Sequence, residues 1–241
     1  MQSSYIRKAE ERGRVNFGWL DSRHSFSFGN YFDPAHMGYS VLRVINDDHV
    51  APGKGFDPHG HRDMEIISVV LEGALEHKDS TGNAYRVEPG EVQVMSAGTG
   101  IQHSEYNASA QDTVHFLQIW ITPDKAGYEP EYRQARFDED TPLALLVSPD
   151  GVDGSLKINQ DARISRVQLS AGDELTLKSV STNRKQYFHC YQGAGEFLHT
   201  ENTVTVQVGD GVGTDNQQFE LKAGADGLAG LWFDLPGDSL H

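Results

Sequence analysis

The stretch FDPHGHRDMEI, residues 56–66, carries His59, His61, Asp63 and Glu65 at every second position, and GTGIQHSEYN, residues 98–107, sets His103 and Glu105 two apart. In an extended strand alternate side chains share a face, so each stretch aims its imidazoles and carboxylates one way. His59, His61 and His103 with either Glu65 or Glu105 make a mixed nitrogen and oxygen donor set. Such a set suits Fe(II), Mn, Ni, Cu or Zn in a catalytic site rather than the thiolate cage of structural zinc. An isolated histidine is more often a core or surface residue than a ligand. His24, His36, His49, His77, His115, His189, His199 and His241 are therefore left outside the site.

The segments that must position these residues read as strands. Runs rich in Val, Ile, Phe and Tyr, bounded by Gly, Pro, Asp or Asn, occur at 24–29, 40–45, 65–73, 73–79, 85–90, 92–97 and 114–121. STGN at 80–83 and EPGE at 88–91 supply the glycines of hairpin turns. Helical periodicity is sustained nowhere. Around residues 122–154 prolines and glycines break the pattern, and strands resume at 155–158, 163–170, 174–180, 186–193, 195–200, 203–211 and 227–235. The expected organisation is all-β: a first module over 1–123, a linker over 124–150 and a second module over 151–241, each of them a small barrel or jelly roll.

Composition narrows the partners. A net charge of -15 over 241 residues, with no cluster of five or more Lys/Arg, argues against nucleic acid and anionic membranes. The N-terminal MQSSYIRKAEERGR has no apolar run of signal or membrane-span length, and the lone Cys190 cannot form an internal disulfide. Both point to the cytoplasm. The GTG at 98–100 lacks the rest of a phosphate loop and reads as a turn carrying backbone close to the metal. Asp63 reads as a turn cap and Cys190, within YFHCYQ, as a buried apolar residue. The second module has no H-x-H pair to set beside a second histidine segment, so its expected role is structural, without a metal.

Gly53, His59-Gly60-His61, Glu65 and Gly73 resemble the first cupin motif, and Gly100, His103 and Asn107 the second. His-x-His-x-Asp-Met-Glu with Ser-Ala-Gly-Thr-Gly-Ile-x-His-Ser-Glu, and WLDSRHSFSFGNYFDP at 19–34, resemble the pirin family of bicupins. The resemblance implies two tandem cupin barrels (double-stranded β-helix, or jelly roll). It implies one divalent metal per chain in the N-terminal barrel, Fe(II) before Zn, Mn, Ni or Cu, on His59, His61, His103 and Glu105. The pattern of many other cupins would nominate Glu65 instead, and Glu65 is otherwise expected beside the metal as a proton-handling carboxylate. The implied activity is that of a quercetin 2,3-dioxygenase, cleaving a small aromatic flavonol with O2. Glu105 would be the base and Glu65 the alternative. Phe26, Phe28 and Phe56 are the expected pocket walls. Two rival classes are a metal- or redox-responsive regulator that binds a protein partner, and another metal-dependent cupin enzyme acting on a small polar substrate.

Overall fold

A computed structural model describes residues 5–138, 140–199 and 202–237. Strands dominate, and the only helical turns among these residues are two 3-10 pieces, Ala9–Glu11 and Val152–Gly154. No helix among them is long and apolar enough to cross a membrane. The chain forms two compact units. One comprises Gly13–Phe137 with Pro149–Gln160, and the other Met1–Arg12, Asp138–Ser148 and Asp161–His241.

The first unit is built from two antiparallel sheets. A seven-stranded sheet runs in the order Glu131–Arg136, Glu91–Ser96, Glu65–Glu72, Val114–Ile121, Leu42–Val50, Leu20–His24, Gly13–Asn16. A four-stranded sheet runs Gly55–His61, Ile101–Asn107, Leu75–Asp79, Ala84–Val87. The central strands EIISVVLE and VHFLQIWI are buried along most of their length, as continuous apolar runs require. Ile101–Asn107 alternates instead, with Ile101, His103, Glu105 and Asn107 buried and Gln102, Ser104 and Tyr106 less so. Leu75 and Val87 from the smaller sheet pack with Leu20, Val50, Val70, Val114 and Phe116 from the larger one, closing the barrel core.

The second unit is one large antiparallel sheet. Tyr5–Arg7, Gly211–Thr214, Arg184–His199, Gln218–Pro236, Arg163–Leu169 and Leu143–Ser148 follow one another across it. Its core gathers Phe188, Phe197, Phe219, Leu221, Trp232 and the fully buried Cys190, whose thiol burial pushes up to about 12. The N-terminal segment is held here by the buried Asp210 carboxylate, which accepts from Lys8 Nζ at 2.9 Å and from the Ala9 amide at 2.8 Å.

The structure departs from the sequence reading in three places. Residues 5–12 belong to the second unit, and the expected linker carries two strands, Glu131–Arg136 and Leu143–Ser148. EYRQAR has no apolar alternation because it lies at the sheet edge, half-exposed along its length. HSFSFG at 24–29 is not a strand beyond His24: Phe28 and Tyr31 exchange backbone hydrogen bonds at 3.0 Å, folding the segment on itself. The polypeptide also breaks between His61 and Glu65, where Asp63 takes φ +48°. Its amide donates to Gly98 O, and its Oδ1 accepts from the Gly127 amide at 2.7 Å, so Asp63 caps a turn as expected.

Gly98 sits opposite this turn with φ +48°, and a Cβ there would lie 2.0 Å from the Tyr128 carbonyl oxygen. Its close neighbour is thus the Tyr128–Glu129 backbone rather than the histidines. Gly98→Ala is expected to destabilise the protein by about 2–4 kcal/mol, combining left-handed strain with a backbone clash. A urea midpoint unchanged from wild type would contradict this.

Candidate metal centre

Two strands of the smaller sheet bring three imidazoles together. His59 and His61 lie two apart on the edge strand Gly55–His61, and His103 is directly opposite His59 on Ile101–Asn107. His103 Nε2 is 2.9 Å from His61 Nε2 and 3.1 Å from His59 Nε2. Two donors at right angles around one ion, each about 2.1 Å from it, stand about 3.0 Å apart. The triad therefore has the spacing of three neighbouring ligands of one first-row metal. The Nδ1 of His59 lies 2.8 Å from the Asp57 carbonyl, a partner that requires Nδ1–H and leaves the Nε2 lone pair aimed at the centre. Burial first, and then the neighbouring imidazoles, lower the pKa of both His61 and His103, that of His61 to about 4. Both rings are accordingly neutral, ready to ligate, near neutral pH.

Glu105 shares the buried face of its strand with His103 and is 1% exposed. Its Oε1 accepts from Gln93 Nε2 at 3.0 Å and Ser68 Oγ at 3.3 Å, and its Oε2 from Gln118 Nε2 at 2.6 Å. The three donors come from adjacent strands of the larger sheet, where Gln118, Ser68 and Gln93 stand in register. Trp120 Nε1 donates to Gln118 Oε1 and the Tyr132 hydroxyl to Gln93 Oε1, so each amide is turned with its NH2 toward the carboxylate. Burial raises the Glu105 pKa, against the lowering effect of His77, His59 and these hydrogen bonds. Glu105 clusters with His103 and His77, next to the triad rather than inside it.

His77, left out of the sequence reading, thus belongs to this centre. It is fully buried, its Nε2 lies 3.0 Å from Asp79 Oδ2, and its ring is 5.4 Å from that of His103. The clue was available: His77 and Asp79 are two apart on a strand, the same-face spacing that singled out the other pairs. Glu65 requires a correction. It opens a separate strand in the other sheet, with Ser96 Oγ donating to it at 2.7 Å and Asn159 Nδ2 at 3.0 Å. Among the described residues it shares no ligand cluster with a histidine and does not line the cavity beside them. The shared strand parity of His59, His61 and Glu65 ends at the Asp63 turn.

A cavity of about 430 Å³ opens beside the triad, lined by His59, His61 and Glu105. Phe28 and Phe56 line it as expected, whereas Phe26 is 1% exposed within the packed interior and does not. Trp19, Leu20 and Trp120 complete the apolar wall, and Trp120 meets His61 edge-on at 4.9 Å. His199, by its side chain, and His241 lie outside the described residues. A further cluster, Asp47 with the stacked His49 and His115, does not line this cavity.

The family model for pirin matches residues 5–121, and one for the quercetinase C-terminal cupin domain matches 145–235. A quercetin 2,3-dioxygenase of Escherichia coli strain K12 is 48% identical over 233 residues, covering 96% of this chain and 98% of the relative. The chain belongs to the pirin family. Its bicupin architecture is that of the pirin YhhW from Escherichia coli, whose crystal structure matches with a TM-score of 0.93 at 45% identity, covering 99% of this chain and all of that one. A second structure, of the bacterial pirin YhhW from Escherichia coli in complex with nickel(II), matches with a TM-score of 0.91 at 44% identity, covering 98% of this chain and 100% of the other. The sequence expectation of two cupin barrels therefore holds, and the pirin donor set here fits a divalent metal.

The lowered pKa of His61 has a measurable consequence for the metal-free pirin. Between about pH 6.5, where an unfolded histidine titrates, and about 4, where His61 does, the unfolded chain binds more protons than the folded one. Stability contributed by neutral His61 is present above that window and is lost as pH falls through it. Urea midpoints of metal-free protein are expected to drop across this range, and less steeply in His61→Gln. Equal slopes would remove the buried neutral imidazole from the account.

Proposed function

We propose that His59, His61, His103 and Glu105 hold one divalent ion, Fe(II) in the first place, and that the protein is a flavonol-cleaving dioxygenase of the quercetin 2,3-dioxygenase type. The observation that carries this is the convergence of three Nε2 atoms, 2.9 and 3.1 Å apart, at an apolar cavity that a buried carboxylate also lines. The name of the 48% identical relative supports the substrate class. The bound ion would supply a positive centre for a chelating hydroxyl–carbonyl pair and bring O2 and substrate into one site.

The rest of the chemistry falls to the chain's own groups. Glu105, with its pKa raised by burial, is the proton acceptor for the substrate hydroxyl, since a base poised nearer working pH combines availability with driving force. Gln93, Gln118 and Ser68 hold that carboxylate in one orientation before and after the transfer. Trp19, Phe28, Phe56 and Trp120 provide flat apolar surfaces that seat a planar ring system and keep bulk water out. The cavity volume lies within the ordinary range for small-molecule sites. The C-terminal barrel, which has no H-x-H pair, serves a structural role. The lone buried Cys190 suits a cytoplasmic protein.

Elemental analysis of freshly purified protein is expected to give one metal per chain, and His61→Ala to lose most of it while keeping the wild-type circular dichroism. Two tightly held ions per chain would contradict the assignment. With O2 uptake on a flavonol panel as the readout, Glu105→Gln is expected to slow turnover by about 10²-fold or more and to remove the acid limb of the pH profile. Glu65→Gln should leave both unchanged. The reverse pattern would return the role of base to Glu65.

A further inference from the structure

The metal side of the cavity accounts for only part of its polar lining. On the strand Leu42–Val50, Asn46 and Asp48 lie two apart and so share a face, and both line the cavity. Each is 3% exposed, yet among the described residues Asn46 Oδ1 and Asp48 Oδ1 have no hydrogen-bond partner. Native interiors seldom leave two such acceptors unmet side by side. Ser22, His24 and Gln118 also line the cavity, and Trp19, Leu20, Phe28, Phe56 and Trp120 make up its apolar surface.

We propose that Asn46 and Asp48 form a second recognition point in this cavity, accepting hydrogen bonds from phenolic hydroxyls on the ring remote from the chelating oxygens. The inference rests on the cavity being the flavonol site. It makes the protein selective for polyphenols over aromatics without those hydroxyls. An unhydroxylated ring would seal two buried acceptors away from water without replacing their bonds, whereas a hydroxylated one satisfies them, which is the strongest form of discrimination a small pocket can make. Burial raises the Asp48 carboxyl to about 7, opposed by the Ser22 hydroxyl directly across the strand pair and reinforced by the charges of Asp47 and Glu105. Asp48 can thus both accept from and donate to a hydroxyl near neutral pH.

The test measures dissociation constants by tryptophan fluorescence for two ligand pairs. Flavone against 4'-hydroxyflavone lacks the 3-hydroxyl and tests the recognition point without the chelating pair. Flavonol against 4'-hydroxyflavonol tests it with that pair present. Wild type is expected to bind the 4'-hydroxylated member of each pair about 10-fold or more tightly. Asp48→Leu is expected to bring the members of each pair within about twofold, while Asp48→Asn, which keeps an acceptor, retains the preference. Asn46→Leu serves as the second variant should Asp48→Leu fail to fold. No hydroxyl advantage in wild type, an advantage that survives Asp48→Leu and Asn46→Leu, or no binding by any of the four compounds would overturn the proposal. Absence of O2-dependent turnover would sink the dioxygenase reading alone, because the non-chelating pair is scored by binding.

Discussion

A carboxylate buried against the opposite sheet governs this barrel. Glu105 hangs from the smaller sheet and is met by Gln93, Ser68 and Gln118, one from each of three adjacent strands of the larger sheet. An ionised carboxylate in that position without donors would be destabilising by several kcal/mol, so the three strands must present their polar residues together. A slip of one residue in any of them would turn its donor out of the barrel and an apolar side chain into its place. Strand register and site geometry are consequently fixed by the same contacts. Trp120 and Tyr132 extend the arrangement outward by orienting the two amides.

The histidine triad is less enclosed than the carboxylate beside it. His103 is 2% exposed, while His59 and His61 are half-buried on an edge strand that, among the described residues, has no neighbour on its far side in that sheet. This asymmetry has a chemical use. Buried His103 and Glu105 form a rigid rear wall, and the two edge imidazoles leave an approach by which an ion and a substrate can enter. The carbonyl of Asp57 supplies the orientation that packing would otherwise give His59.

How much of this was legible in the sequence depended on the range of the interaction. The pairs His59/His61 and His103/Glu105 declare themselves because strand parity is local, and the structure brings each pair to the same cavity or its rear wall. Parity failed at Glu65 because a single residue with positive φ, Asp63, ends one strand and sends the chain into the other sheet. The donor row was illegible for a different reason. Ser68, Gln93 and Gln118 are single polar residues inside EIISVVLE, EVQVMS and VHFLQIWI, and they become a row only once three strands pair in register. An isolated polar residue within an apolar run is a signal of this kind, although it names no partner. His77 stands outside the His-x-His and His-x-Glu pattern because its same-face neighbour is an aspartate, which here also caps the following turn, accepting from the Thr81 and Asn83 amides.

The charge balance of the cavity gives the last step. Two buried carboxylates, Glu105 and Asp48, face into it, and among the described residues no Lys or Arg lines it. The amides and hydroxyls that hold Glu105 are neutral donors. His61 and His103 do not readily supply positive charge as imidazolium, because burial and the neighbouring imidazoles disfavour their protonation. A proton on these two rings is therefore disfavoured, whereas a cation able to accept three imidazole lone pairs at once suits the site and would favour the ionised form of the two carboxylates, whose pKa values burial raises. The same pressures that keep His61 and His103 neutral favour a metal over a proton at their Nε2 atoms. The apolar walls strengthen that preference by lowering the local dielectric around the buried carboxylates, which raises the value of a nearby cation.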